Sequence, residues 1–182
     1  MANDDFIFLK ALCIDFFEEY GIRKKIKEIR SFKKWGGFER WWQIEFALYL
    51  EKKNDLGEIK GYCREALIYI KQNGEVNKKR IHLDFKIKKN KAKKDLCLEL
   101  KCNKRFDLCL SGLNNDLNLY LKARKKYVVS DKNIFLAGIC DPKHGRKIYD
   151  EVSIKSEIKN AYDINSIHVS KIGRTGLLFF LF

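Results

Sequence analysis

Asp84, Glu99 and Lys101 are the residues whose types and spacing could do chemistry together. In the run IHLDFKI (81–87) the odd positions are apolar and the even ones polar, whereas in LCLELKC (96–102) the even positions are apolar. Strand side chains alternate between faces, so each run predicts one apolar face and one that carries polar groups. Folding the pair about its centre, between Lys91 and Ala92, sets Ile87 opposite Leu96, Phe85 opposite Leu98, Leu83 opposite Leu100 and Asp84 opposite Glu99. A slip of one residue would scramble every one of these matches. Directly opposed side chains have Cβ atoms roughly 4.5–5.5 Å apart, and like charges there repel. Two carboxylates so placed need a cation or a proton between them. Mg²⁺ or Mn²⁺ takes hard oxygen ligands of this kind, with waters and phosphate oxygens completing its shell. Lys101 shares the face of Glu99 and would bring an ammonium into the same volume. There it would orient or help deprotonate an attacking water and offset charge on a phosphorane-like transition state. The metal would polarise the phosphoryl group and acidify its bound water. The device suits hydrolysis of a phosphodiester.

Glu45 is the third candidate acid, in the run WWQIEFALY (41–49), with Trp41, Trp42, Leu48 and Tyr49 at helical spacing around it. A carboxylate on an apolar helix face is costly to bury without a partner. A salt bridge to Arg64 or Arg40 would satisfy it structurally; the neighbouring pair of acids argues for a role at the metal.

The elements that must position these residues follow from pattern. Helices are expected over residues 4–19, 38–53 and 104–126, the last with Leu108, Leu113, Leu117 and Leu121 at helical spacing, and the basic stretch 23–34 can continue as another. Strands are expected over 64–71, 80–88, 96–102 and 133–140, with Gln72-Asn73-Gly74 and the loop KNKAKK (89–94) as turns. A helix over 154–162 and a terminal strand over 176–182 complete the reading. The order is helix, three strands, helix, strand, which implies an α/β fold: a mixed central sheet, with an antiparallel hairpin, flanked by helices. No linker or repeat divides the 182 residues, so one domain is expected, with its core at about 38–140.

Composition narrows the partner. Thirty-eight Lys and Arg against 24 Asp and Glu give a net charge of +14, which attracts polyanions. Abundant Phe, Tyr, Trp, Ile and Leu exclude disorder for most of the chain. The charge is spread along the chain, unlike that of a membrane-surface helix. Six cysteines without CxxC spacing, and an acidic, interrupted N-terminal run where a signal peptide needs basic charge, point to a reduced, cytoplasmic protein.

Asp84, fourteen residues, then Glu99-Leu100-Lys101 resembles the PD-(D/E)XK motif of the restriction-endonuclease-like nuclease superfamily. The helix bearing Glu45 and the helix beginning near Lys104 match that family's element order over about 38–140. Position 83 is Leu, so the proline that names the motif is absent. The resemblance implies a Mg²⁺- or Mn²⁺-dependent DNA endonuclease in which Asp84 and Glu99 bind metal, Lys101 serves the water and Glu45 assists.

Lys86, Lys88, Lys89, Lys91, Lys93 and Lys94 surround the hairpin turn and are candidates to hold phosphates beside the metal. A solvated turn that discourages edge pairing is the competing use. His82 shares the polar face of Asp84, and Trp35, Trp41 and Trp42 could stack bases, although core packing is the more common use of Trp. A homodimer would let two single sites cut both strands of a duplex. The rival readings are a non-catalytic nucleic-acid-binding protein on the same fold and a basic partner for an acidic protein.

Overall fold

Phe6, Leu9, Leu12, Cys13, Phe16 and Phe17 recur at helical spacing and are the buried face of helix α1 (Asp4–Glu18). After Glu19 the chain turns into α2 (Tyr20–Arg30), which buries Ile22 and Ile26 and exposes most of its basic residues. Helix α3 (Phe38–Asp55) buries Phe38, Trp42, Phe46, Tyr49 and Leu50. Then come β1 (Ile59–Gln72), β2 (Glu75–Lys89), β3 (Leu96–Cys102), α4 (Phe106–Arg124), β4 (Ile134–Cys140), β5 (His168–Lys171) and β6 (Leu178–Leu181). The computed structural model describes residues 4–32, 37–72, 75–91, 94–124, 134–141 and 167–182, of which 68–72, 75–81 and 121–124 are described by backbone alone.

These six strands form one mixed sheet in the order β1-β2-β3-β4-β6-β5. The β3–β4 pair is parallel and the other pairs are antiparallel. Parallel neighbours need a crossover, and α4 supplies it. Helices α1, α2 and α3 cover one face over a core that includes Phe85, Ile87, Leu98, Leu100, Ala137 and Phe179. Edge-to-face contacts of Phe46 with Phe16 and Phe85, each at 5.2 Å, lock α3 between α1 and the sheet. Helix α4 covers the other face over Leu136, Cys140, Phe180 and Phe182. The expected α/β class, with a mixed sheet between helices, is what the chain adopts. Among the described residues no helix is long and apolar enough to cross a membrane, and all six cysteines are free thiols.

Several boundaries differ from the pattern. The β1–β2 hairpin is longer at both ends, because β1 starts at Ile59 and β2 at Glu75. Strand β5 is four residues of mixed character, too short to leave a period in the sequence. The helix expected over 154–162 lies outside the described residues.

The hairpin register is the expected one at Phe85–Leu98 and Ile87–Leu96, but the expected Leu83–Leu100 pair does not form, since Leu83 lies in the core under α4 and Leu100 in the core under α1 to α3. The ladder then stops, and the stop builds the site. On β1, Arg64 pairs with Phe85 and Ala66 with Leu83, so Glu65 lies opposite Asp84, and Glu65 has φ +52°. A non-glycine residue rarely adopts that left-handed conformation, and it marks local strain. Leu83 joins the core under α4, while Phe85 and Ile87 join the core under α1 to α3. Strict alternation would have put all three together. The backbone of β2 turns over at Asp84.

Candidate active site

Where β2 and β3 part, side chains replace the missing ladder bonds. The Leu100 amide donates to Asp84 Oδ2 at 2.7 Å. The Asp84 amide reaches Glu99 Oε2 at 3.4 Å. The two carboxylates the sequence pairs are thus brought together, each against the backbone of the other's strand or its neighbour.

Helix α3 closes one side. Gln43 Nε2 donates to Asp84 Oδ1 at 2.6 Å. One turn earlier, Glu39 Oε2 accepts the Cys102 amide at 3.0 Å, and its Oε1 stands 3.5 Å from Lys101 Nζ. Residues four apart share a helix face, which is why Glu39 and Gln43 arrive together.

Helix α4 closes the other side with a stripe at the same spacing, Gly112, Asp116 and Tyr120. Gly112 leaves room for the stem of Lys101, since a Cβ there would lie 3.1 Å from Lys101 Cδ and Cε. Asp116 Oδ2 is 3.0 Å from Lys101 Nζ. The Tyr120 hydroxyl lies 2.7 Å from Glu99 Oε2 and 2.9 Å from the His82 carbonyl.

Electrostatics follow from this crowding. Burial pushes the Asp84 carboxyl up to about 6, although the Leu100 amide opposes the shift. Burial, reinforced by Asp84, raises Glu99 to about 8. The Tyr120 hydroxyl donates to Glu99 Oε2 and opposes that rise. Burial opposes the Lys101 ammonium, but Glu39, Asp116 and Glu99 outweigh it and hold the group above its usual range.

The donor chemistry fits a divalent cation. Four carboxylates, Asp84, Glu99, Glu39 and Asp116, crowd around one ammonium, and both members of the central pair are destabilised as anions. Among the described residues no three acids, histidines or cysteines form a ready-made ligand cluster. Mg²⁺ does not need one, because it is commonly held by one or two carboxylates with waters and substrate phosphate supplying the rest.

Glu45 is a correction. Its Oε1 takes Lys25 Nζ of α2 at 2.5 Å, and two positions beyond Gln43 it lies about 200° around the helix from the site. Its apolar sequence neighbours misled, because Ile44 and Leu48 are exposed and the buried stripe of α3 runs elsewhere. Of the expected phosphate-binding lysines, Lys86 is paired with Asp95 at 2.8 Å and Lys89 with Asp5. Lys88, Lys91 and Lys94 are exposed, and Lys93 lies outside the described residues. His82 is exposed, Trp42 is core, Trp41 is partly buried against Phe38, and Trp35 lies outside the described residues. Glu39, Gln43, Gly112, Asp116 and Tyr120 were not singled out by pattern; i, i+4 polar pairs on otherwise apolar helices are the signal they leave.

No family model matches the chain, and neither any curated protein nor any solved structure does.

Proposed function

We propose that the chain is a divalent-metal-dependent endonuclease that hydrolyses DNA phosphodiester bonds on a restriction-endonuclease-like core. The observation that carries this reading is the meeting of the Asp84 and Glu99 carboxylates in the gap where β2 and β3 part, with Lys101 two residues on. Asp84 and Glu99 would hold Mg²⁺ or Mn²⁺. A bound cation would polarise the phosphoryl group and acidify a water.

The remaining work falls to the chain's own residues. Gln43 and the Leu100 amide fix the orientation of Asp84, and Tyr120 fixes that of Glu99. Lys101 is held positive by Glu39 and Asp116, so it acts as a donor that orients water and stabilises developing negative charge; it does not remove the proton. The net charge of +14 and the exposed Lys88, Lys91 and Lys94 favour a polyanionic substrate.

The test is cleavage of plasmid, single-stranded and branched DNA in Mg²⁺ or Mn²⁺. Metal-dependent scission, lost in EDTA and in Glu99→Ala, is expected. DNA binding without scission in every metal and substrate would overturn it in favour of a non-catalytic nucleic-acid-binding protein. The commitment of Lys101 to Asp116 and Glu39 is the observation that favours this second reading.

A further inference from the structure

Two basic segments from distant parts of the chain meet at one corner of the fold. On α2, Ile22 and Ile26 face the core, and Arg23, Lys27 and Arg30 follow one another at helical spacing along the adjoining flank. That flank lies on the turn between β5 and β6. Arg30 Nη1 donates to the Thr175 carbonyl at 3.0 Å. A Cβ at Gly173 would stand 2.8 Å from Arg23 Cδ, and one at Gly176 would stand 2.0 Å from Arg30 Nη1. Glycine at both places seats the two arginines and lets the backbone reach φ +47° and +76°. Thr175 braces the turn from within, donating to the Ile172 carbonyl at 2.7 Å and accepting the Leu177 amide at 3.2 Å. Both arginines rest on this surface, which lowers the cost of ordering them around a ligand.

The corner carries uncompensated positive charge. The turn adds Lys171 and Arg174, which are exposed like Lys27 and Arg30. Among the described residues none of Arg23, Lys27, Arg30, Lys171 and Arg174 forms an ion pair. Glu28, the one acid of α2, lies about 100° or more around the helix from Arg23, Lys27 and Arg30. On the opposite flank, Lys25 is paired with Glu45 of α3. Such a corner attracts a polyanion. A helix that lies on a membrane turns its apolar face to the lipid, whereas that of α2 is packed in the core.

The corner also shares an end of the sheet with the Asp84–Glu99 pair. Cys140 is level with Leu178, the first residue of β6, which pairs with Lys171, the last of β5. Lys101 is level with Gly138, two residues short of that row. Strand β5 stands three strand spacings from β3, about 14 Å. At roughly 3.4 Å of duplex axis per phosphate of one strand, this is about four nucleotides. The seven-residue step from Arg23 to Arg30, about 10 Å along the helix, matches about three more.

We propose that Arg23, Lys27 and Arg30 of α2, with Lys171 and Arg174 of the β5–β6 turn, bind the phosphate backbone of DNA a few nucleotides from the bond held at Asp84 and Glu99. The inference rests on the hydrolytic reading for its choice of polyanion, but its test needs no turnover.

The full chain is titrated, in EDTA, against a labelled DNA duplex over a series of salt concentrations. A variant carrying K27A and R174A should lose about tenfold or more in duplex affinity, with the log–log salt slope reduced by about 1.8. R174A alone should reduce the slope by about 0.9, and it keeps the test decisive if the double variant melts early. K60A removes a charge at the other end of the sheet, where Ile59 pairs with Lys89, and should leave affinity and slope unchanged. Wild-type DNA binding in both corner variants, or as large a loss from K60A as from R174A, would overturn the corner. DNA binding retained by a double variant that no longer binds phosphatidylserine vesicles would give the corner to a lipid surface and overturn it as well. Scission in Mg²⁺ with corner-independent binding would sink the corner alone. Corner-dependent binding with no scission in any metal would sustain the corner and sink the hydrolytic reading alone.

Discussion

Asp84 Oδ2 accepts the Leu100 amide at 2.7 Å, so a carboxylate does the work of a strand's missing carbonyl. The residue has two tasks that substitution can separate. Asp84→Asn keeps an oxygen for Leu100 and removes the charge; it should fold with a near-normal midpoint yet lose metal binding and cleavage. Asp84→Ala leaves the amide unpaired, at a cost of about 1–3 kcal/mol, partly offset by relief of repulsion on Glu99. Denaturant melts with and without Mg²⁺ check both. An asparagine variant that cleaves normally would remove Asp84 from the site.

Stability should depend on pH in the sense opposite to a salt-bridged acid. Asp84 stands at about 6 and Glu99 at about 8, both above their ordinary values near 4, with burial as the first cause. Between those values and pH 8 the folded chain keeps protons that the unfolded chain has lost. The contribution of this pair is therefore fully present below about pH 4 and is lost as pH rises to about 8, on the order of a few kcal/mol. Thermal melts without metal should show the decline, and Glu99→Gln should flatten most of it. Mg²⁺ competes with the same protons, so its affinity should rise over this window. A pH-independent affinity would mean that the cation binds elsewhere.

How much of this was legible in the sequence depends on which geometry a pattern encodes. Period two is a property of one strand and its partner, so IHLDFKI and LCLELKC specified the Phe85–Leu98 and Ile87–Leu96 register. The Leu83–Leu100 and Asp84–Glu99 ladder pairs they also implied do not form, and Asp84 meets Glu99 through its backbone amide instead. The end of the ladder at Asp84 was not visible, because it comes from a backbone turn shared with Glu65 on a different strand. Nor was the phase of α3. Apolar residues lie all around that helix, so position 45 looked as inward as position 43, and only packing against α1 and Phe85 decides between them.

That phase makes a paired prediction. Glu45→Gln removes a half-exposed ion pair with Lys25 and should leave cleavage within about twofold and stability within about 1 kcal/mol. Gln43→Leu removes the donor to Asp84 Oδ1, a bond to a charged group worth about 1.5–3 kcal/mol, and should cut turnover about tenfold or more. Single-turnover assays at saturating Mg²⁺ make the comparison. A larger loss from Glu45→Gln than from Gln43→Leu would restore the helix-borne acid that the geometry has set aside.

Gly112 provides the sharpest separation of stability from activity. Glycine inside a helix costs about 1 kcal/mol relative to alanine, so nothing local favours it there. A Cβ at 112 would press on Lys101 Cδ and Cε at 3.1 Å, a contact the flexible stem can relieve by moving a few tenths of an ångström. That movement displaces the ammonium from Asp116 and Glu39, while the helix gains propensity. Gly112→Ala should therefore melt at the wild-type temperature or slightly above it and yet turn over several-fold more slowly, with metal affinity unchanged because Asp84 and Glu99 are untouched. If instead turnover is normal in a fully folded Gly112→Ala protein, the position of Lys101 does not govern the reaction, and its ion pairs with α3 and α4 serve only to tie the helices to the sheet.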